Sequence, residues 1–442
     1  MNRLGNPSIH PPLLKLRRTL PAVAVGYGGH SREITSGNTS FGARCCGLSA
    51  CFVREAAVEH FVSKILFLRD LPACLGVALG RRRECLLNSA KHVLKEVYRR
   101  VSPLKNYIKM TLLFSGILAM TLQAQEPMKH DAKIYVAGHN GLVGSAIMRR
   151  LSKEGFTNII TRTSTALDLR DQQAVNSFFA QECPEYVFLA AAKVGGILAN
   201  SQYKADFIYD NLMINTNVIH AAYKCGAKKL LFLGSSCIYP RDCPQPIKEE
   251  YLLSSELEPT NDAYAIAKIA GIKMCQSYNE QHGTRFIACM PTNLYGPYDN
   301  FNLQKSHVLP ALLAKFYIAK QQGQDSVAIW GTGSPYREFL YVDDLADALL
   351  FLMQHHEGND IVNVGTGEDI SIKELAGVIK EIVGFEGEII FDRTKPDGTP
   401  RKLLNVDRLK KIGWQATTSL KDGIEKTLTW CKENKVFTHK EQ

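Results

Sequence analysis

"YAIAK" places Tyr264 and Lys268 at i and i+4, so on a helix the two share one face. An unperturbed tyrosine titrates near pH 10, to about a unit. A neighbouring ammonium favours the phenolate and brings it into range for proton transfer. Lys268 can also bind a nicotinamide ribose. Upstream, "LFLGSSCIYP", Leu231 to Pro240, runs from an apolar strand into a turn, with Ser235 where the strand gives out. A hydroxyl there can hydrogen-bond a substrate oxygen. A Tyr/Lys pair at this spacing usually marks only a helix surface. Behind a glycine-rich turn and a strand-end serine, it implies hydride exchange at a secondary alcohol or ketone. The same stretch leaves a thiol, Cys237, two residues past Ser235. The spacing alone does not explain it, and a lone buried cysteine is usually packing.

The glycine-rich turn is "VAGHNGLVGSAI". It runs from Gly138 through His139, Asn140, Gly141, Leu142 and Val143 to Gly144, with the spacing G-x-x-G-x-x-G. It follows an apolar strand and opens a helix. Its glycines permit a tight turn, close approach of backbone N–H groups and helix–strand packing, and the helix N-terminus then faces a pyrophosphate. The next strand ends "NIITRTSTALDL". An acid at its end would bind the two ribose hydroxyls of NAD. The nearby group is Arg162, and a guanidinium suits a 2′-phosphate. The sequence therefore points to NADP, with a solvated surface arginine as the alternative. Asp168 could accept from the adenine amino group or cap a helix.

The elements that position these residues begin late in the chain. Before Met128 there are 18 Lys and Arg against 7 Asp and Glu; from Met128 onward there are 35 against 36. The +10 net charge thus belongs to the first 127 residues, and the near-neutral remainder has no nucleic-acid footprint. The basic segment reads as a leader or non-functional extension with Met128 as the start; a targeting or regulatory segment are the alternatives. "MTLLFSGILAMTLQAQ", Met110 to Gln125, resembles the n- and h-regions of a signal peptide and is too short for a transmembrane span. Twelve cysteines include five before Met128, and the seven after it form no CxxC pair. That is neither a zinc pattern nor a disulfide scaffold. We expect reduced thiols, a cytoplasmic location and no metal.

From Lys133 the pattern is regular. "KIYVAG", "NIITRT", "YVFLAAA", "KLLFLG" and "TRFIACMPTN" read as strands, and helical stretches of 10–20 residues separate them. Such alternation predicts a Rossmann-type, doubly wound parallel sheet of the α/β class. After about residue 297 it loosens. "HVLPALLAKFYIAKQQG" is a helix, "VAIWG" a strand and "IKELAGVIKEIVG" a helix, which reads as a smaller C-terminal α/β substrate lobe. The predicted domains are the extension 1–127, an NADP-binding domain 128–297, and a lobe 298–442 with segments crossing between lobes.

Eight motifs in order, "AGHNGLVGSAI", "AAAKVGGI", "LGSSCIYP", "EPTNDAYAIAKIAG", "PTNLYGPYDNFN", "SHVLPALL", "WGTGSPYREF" and "KPDGTPRK", resemble the GDP-L-fucose synthase family of extended short-chain dehydrogenase/reductases. The resemblance runs from about Met128 to about Asn434. It implies a 3,5-epimerase and NADPH-dependent 4-reductase acting on GDP-4-keto-6-deoxy-D-mannose, working as a homodimer built on helices of the cofactor domain. It also gives Cys237 a purpose. A C4 ketone acidifies the protons on C3 and C5, and inversion needs a base on one face and an acid on the other. By resemblance Cys237 is the base and His307, in "SHVLP", the acid, with Tyr264 donating to the reduced oxygen.

The resemblance further implies that Leu233, Gly234, Ser235 and Ser236, the loop Pro291, Thr292, Asn293 and Leu294, and His307 line the cofactor. It places Lys315, Trp330, Arg337, Asp397 and Lys402 on the GDP-sugar. Lys315 stands where arginine is often found, which keeps the charge and loses the bidentate fork. Asn140 and Ser164 likewise replace arginines seen in some relatives. Rival readings are a nucleotide-sugar 4-epimerase or 4,6-dehydratase, and a non-catalytic dinucleotide sensor. A dehydratase would want an acidic pair after the strand-end hydroxyl, where Ser236 and Cys237 stand. Sensors tend to lose the Tyr or Lys, and both are present.

Overall fold

A computed structural model describes residues 128–303, 306–395 and 397–437; the expectations for the basic extension lie outside the described residues. The first part alternates: β1 (Ile134–Ala137), α1 (Leu142–Lys153), β2 (Ile159–Ile160), α2 (Gln172–Glu182), β3 (Tyr186–Leu189), α3 (Ile197–Gln202), α4 (Lys204–Lys224), β4 (Lys229–Leu233), α5 (Asp262–His282) and β5 (Phe286–Pro291). Shorter strands follow: β6 (Asn293–Tyr295), α6 (Val308–Gln321), β7 (Ser326–Trp330), β8 (Tyr336–Arg337), β9 (Phe339–Tyr341), α7 (Val342–His355), β10 (Val362–Val364) and β11 (Ile370–Ser371). The chain closes with α8 (Ile372–Val383), β12 (Glu388–Asp392), β13 (Arg401–Lys402), α9 (Asp407–Ile412) and α10 (Leu420–Glu433).

Six strands form one sheet in the order β10-β5-β4-β3-β1-β2, with every neighbour parallel. Parallel strands bury both faces, so they read as continuous apolar runs. Side chains alternate between the faces. Ile134, Val136, Phe188, Leu231 and Ile287 meet the core formed with α1 and α7. Tyr135, Val187, Leu230, Phe232 and Ala288 meet the core formed with α2, α4 and α5. Phe232 is fully buried; burying a phenylalanine contributes about 1.5–3 kcal/mol. The result is a Rossmann-type doubly wound fold. A third core, with Leu313, Phe316, Phe339, Leu375 and Ile424, joins α6, α8 and α10 to the small sheets. The chain returns from these small sheets to the large one through α7 and β10.

The order reverses at β1. The chain goes outward to β2, then crosses back to β3 on the other side. In such sheets ligands bind outside the carboxyl ends of the strands at this switch point. The glycine turn lies there. A Cβ on Gly144 would collide with the Gly138 carbonyl, and one on Gly138, whose φ is +86°, would press on Ala191 just past β3. A second close approach sets α5. A Cβ on Gly271 would enter the Phe232 ring. Its absence lets α5 lie flat on β4 and carries Tyr264 and Lys268 to the end of that strand. The αL residue Gly283 then stops the helix.

The differences from sequence expectation are local. β2 shrinks to two residues of "NIITRT". Asp171 caps α2 by accepting from the Ala174 N–H, while the Asp168 carboxylate is held by Arg170.

Candidate active site

Where β4 ends, Gly234 donates to the Cys289 carbonyl at 2.8 Å and the chain tightens into a 3-10 turn over Ser236–Ile238. Ser235 caps that turn, its Oγ accepting from the Cys237 N–H at 3.2 Å. The strand end therefore sets the hydroxyl and the thiol together. Lys268 reaches across from α5, is buried, and donates to the Leu233 carbonyl at 2.7 Å. Burial pushes its ammonium down to about 8. Its Nζ lies 5.8 Å from the centre of the Tyr264 ring, which the Phe207 ring meets edge-on at 6.4 Å.

The sequence predicted that Lys268 would favour the Tyr264 phenolate. In the structure burial dominates, the Cys237 charge adds to it, and the Ser235 hydrogen bond offsets them only in part. The phenol is held well above its usual range, so at neutral pH it carries a proton to give.

The thiol is opposite in character. Burial pushes Cys237 up, but the Lys402 charge, hydrogen bonds with Ser235 and Lys402, and the Arg337 charge together bring it below its ordinary value. Lys402 Nζ stands 3.3 Å from Cys237 Sγ. β13 delivers it: Lys402 pairs in parallel register with Arg337 on β8, so both cations stand side by side at the strand edge. His307 sits at the N-terminus of α6. Burial, then the Lys402 charge, holds its imidazole below the usual range. Ser235, Cys237, Tyr264, Lys268, His307, Arg337 and Lys402 are thus linked electrostatically or by hydrogen bonds.

Farther out, Trp330 ends β7 with 41% of its surface exposed. Lys315 Nζ and Lys395 Nζ lie 5.5 and 5.7 Å from its ring centre, and Lys315 donates to the Ala328 carbonyl at 3.0 Å. Asp397 accepts from Thr332 N–H at 2.7 Å and its hydroxyl at 2.8 Å, so it braces the turn after Trp330. Its charge also reaches Arg337.

The cradle fits a dinucleotide. The Gly138 carbonyl occupies the place a Gly144 side chain would take, so the turn closes tightly on the start of α1, and His139 Nδ1 is buried with no partner. Leu233–Ser236 runs on from the end of β4, and Pro291–Leu294 from the end of the neighbouring β5 into β6. Arg162 is engaged by Glu182 at 2.8 Å and stacks 5.2 Å from the Phe178 ring; a 2′-phosphate would share this guanidinium with that acid. Among the described residues no group of three His, Cys, Asp or Glu gathers as a metal site would, and no helix is long and apolar enough to cross a membrane.

Two positioning residues gave no signal in the sequence. Glu338 is fully buried. Its carboxylate accepts from Gly367 N–H at 2.8 Å and Leu404 N–H at 2.9 Å, and its carbonyl accepts from Asn293 Nδ2 at 2.7 Å. It thereby ties the Arg337 strand to the Lys402 strand and the cofactor loop. Asn363 does the same for the Cys237 turn, accepting from the Tyr239 hydroxyl at 2.5 Å and donating to the Ile247 carbonyl. Both act through burial and distant partners, which residue type does not announce.

Fold and site together define an extended short-chain dehydrogenase/reductase, with a dinucleotide cradle, a Ser/Tyr/Lys set and a substrate lobe. The model of the NAD dependent epimerase/dehydratase family matches residues 134–365. The chain belongs to that family, within the group whose members are named GDP-L-fucose synthase. It is 60% identical over 304 residues to GDP-L-fucose synthase 1 of Arabidopsis thaliana, covering 69% of this chain and 94% of that one. It is 52% identical over 311 residues to the GDP-L-fucose synthase of Escherichia coli, covering 68% and 97%. The crystal structure of a GDP-L-fucose synthetase from Naegleria fowleri bound to NADP superposes with a TM-score of 0.66 at 32% identity, covering 71% and 98%.

Proposed function

We propose that this chain converts GDP-4-keto-6-deoxy-D-mannose to GDP-L-fucose by inverting C3 and C5 and then reducing the C4 ketone with NADPH. The observation that carries this reading is the 3.3 Å contact between Lys402 and Cys237, beside Ser235 and Tyr264. A plain ketone reductase or a 4-epimerase has no use for an ion-paired thiol. Relatives carrying the GDP-L-fucose synthase name over almost their whole length support the substrate.

The turn Gly138–Gly144 holds the pyrophosphate, with Arg162 toward the 2′-phosphate, Asp168 toward the adenine, and Leu233–Ser236 and Pro291–Leu294 around the nicotinamide. Lys268 holds the nicotinamide ribose, and His307 borders the cofactor. Bound NADPH supplies the hydride for C4. Ser235 and Tyr264 hydrogen-bond the C4 oxygen, which stabilises the enolate formed when Cys237 takes a proton from the adjacent carbon. His307 returns a proton to the opposite face. Tyr264 gives its phenolic proton to the C4 oxygen during reduction. Arg337 and Lys402 face the diphosphate, Trp330 offers a ring to the guanine, and Lys315 and Asp397 frame it.

The unit 128–297 carries the cofactor, and 298–442 mainly the sugar nucleotide. A homodimer built on α4 and α5 is supported by Tyr209 and Ile266, which stand 61% and 47% exposed on those helices; a sedimentation mass of one chain would remove it. Seven free cysteines among the described residues support a reducing, cytoplasmic setting.

The reading is tested by following NADPH oxidation with GDP-4-keto-6-deoxy-D-mannose and identifying the sugar. Oxidation with an L-fucose product is expected. An unepimerised D-sugar would keep the reductase and return Cys237 to packing. No oxidation with either NADPH or NADH would point to the 4-epimerase or dehydratase reactions.

A further inference from the structure

The proposed chemistry raises a proton-balance problem, and the structure offers a way out of it. In the chair of a 4-keto-6-deoxy-D-mannosyl group the hydrogens on C3 and C5 are both axial and lie on the same face. One base on that face therefore meets both. When the Cys237 thiolate takes the first proton and the His307 imidazolium gives one to the opposite face, the site is left as thiol and neutral imidazole. This pair cannot perform the second inversion in the same sense. The thiol must first lose its proton to solvent and the imidazole must gain one, while the substrate covers the site.

A cavity of about 40 Å³ adjoins Cys237. Of the groups assigned to the sugar nucleotide, Cys237 and Lys402 line it, while Tyr264, His307, Arg337 and Trp330 do not. Its inner wall is the buried Ser236 and Tyr239, and its rim includes the exposed Arg241 and Arg401. Lys402 and Asn261 also face it. Asn261 Oδ1 is buried and has no partner. A water needs roughly 10–15 Å³ of such space and two to four polar partners; this cavity has the space, and the polar residues Gln245, Asn261, Thr399 and Lys402 are among those that line it. Glu258, hydrogen-bonded to Thr260 at 3.1 Å, stands on the same wall as a further acceptor.

We propose that this cavity is a water site closed by Asn261, and that its water carries the Cys237 proton out between the two inversions. The S–H bond breaks, the electron pair stays on sulfur, and the proton passes through the water to a buffer base in bulk solution. Another bulk acid recharges His307, so protons balance over the cycle. The inference rests on the role of Cys237 proposed above.

The test uses the enzyme loaded with NADP⁺, which permits epimerisation without reduction, in D₂O and in excess over GDP-4-keto-6-deoxy-D-mannose. Deuterium at C3 and at C5 is followed by NMR. Asn261→Leu fills the cavity and removes the unpaired carbonyl; Asn261→Asp keeps an acceptor at the same width. In Asn261→Leu the first carbon should exchange at the parental rate and the second about tenfold more slowly or worse, with recovery as a small buffer base is raised. Asn261→Asp should stay near the parental enzyme. Equal slowing at both carbons would mean that Asn261 acts only through the fold, and no slowing at either would mean that the proton leaves elsewhere; each overturns the proposal. Cys237→Ser run alongside separates this failure from that of the base assignment, since full exchange in that variant removes the thiol itself.

Discussion

Cys237→Ser binds NADPH as the parent does and loses epimerisation by about 10²- to 10⁴-fold, the range of a lost general base. The turn survives the change, because Ser235 caps it through the backbone N–H of residue 237. What disappears is an ionisable group. A serine hydroxyl stays protonated at neutral pH even with Lys402 beside it, so no base faces C3 and C5. The readout is deuterium exchange at those carbons with NADP⁺ bound, and cofactor affinity checks the fold. Full exchange in this variant would remove the thiol from the mechanism.

The same contact makes a signed prediction about pH. Lys402 carries a charge that lowers both the thiol and the imidazole. Lys402→Met removes it, so both groups move up. The limb on which rate rises as Cys237 ionises shifts to higher pH, and so does the limb on which rate falls as His307 loses its proton. The two titrations belong to the pair, so the whole profile slides to alkaline pH. A profile that loses height without moving would mean that Lys402 only holds substrate.

Much of the framework could be read in the residues, for reasons that are local. The large sheet was legible because strands buried on both faces are apolar without interruption, as "YVFL" and the "LLFL" of Leu230–Leu233 are. Helices such as α5 carried their stop in Gly283. Tyr264 and Lys268 announced themselves through a single helical turn. Beyond residue 297 the chain weaves among two- and three-stranded sheets with strands of 2–5 residues, too short for a period to form. α7 and α10 went unread there; α7 follows β9 with no intervening loop and no side-chain cap. In the site, the Lys402–Cys237 contact spans 165 residues, and the Glu182 that holds Arg162 lies 20 residues on. No spacing rule connects such pairs. The purpose of Cys237 came from resemblance, because a thiol's charge is set by neighbours that only the fold supplies.

Tyr264→Phe separates the two halves of the reaction. The substitution keeps the ring, and so its edge contact with Phe207, while removing the one proton held ready for the C4 oxygen. Burial and the Cys237 charge keep that proton on the phenol through neutral pH, so nothing else at this position takes its place. Reduction should fall by about 10²- to 10⁴-fold. Epimerisation needs only a hydrogen bond to the same oxygen, which Ser235 still provides, so it should fall far less. Epimerised ketosugar then accumulates in the presence of NADPH, visible as deuterated C3 and C5 with an intact ketone. Lys268 remains fixed on the Leu233 carbonyl, so NADPH affinity should hold. Unchanged NADPH oxidation would place the proton donor elsewhere. Equal loss of both activities would mean instead that the enolate, like the alkoxide, depends on the Tyr264 hydroxyl, and that Ser235 alone is too weak an oxyanion partner.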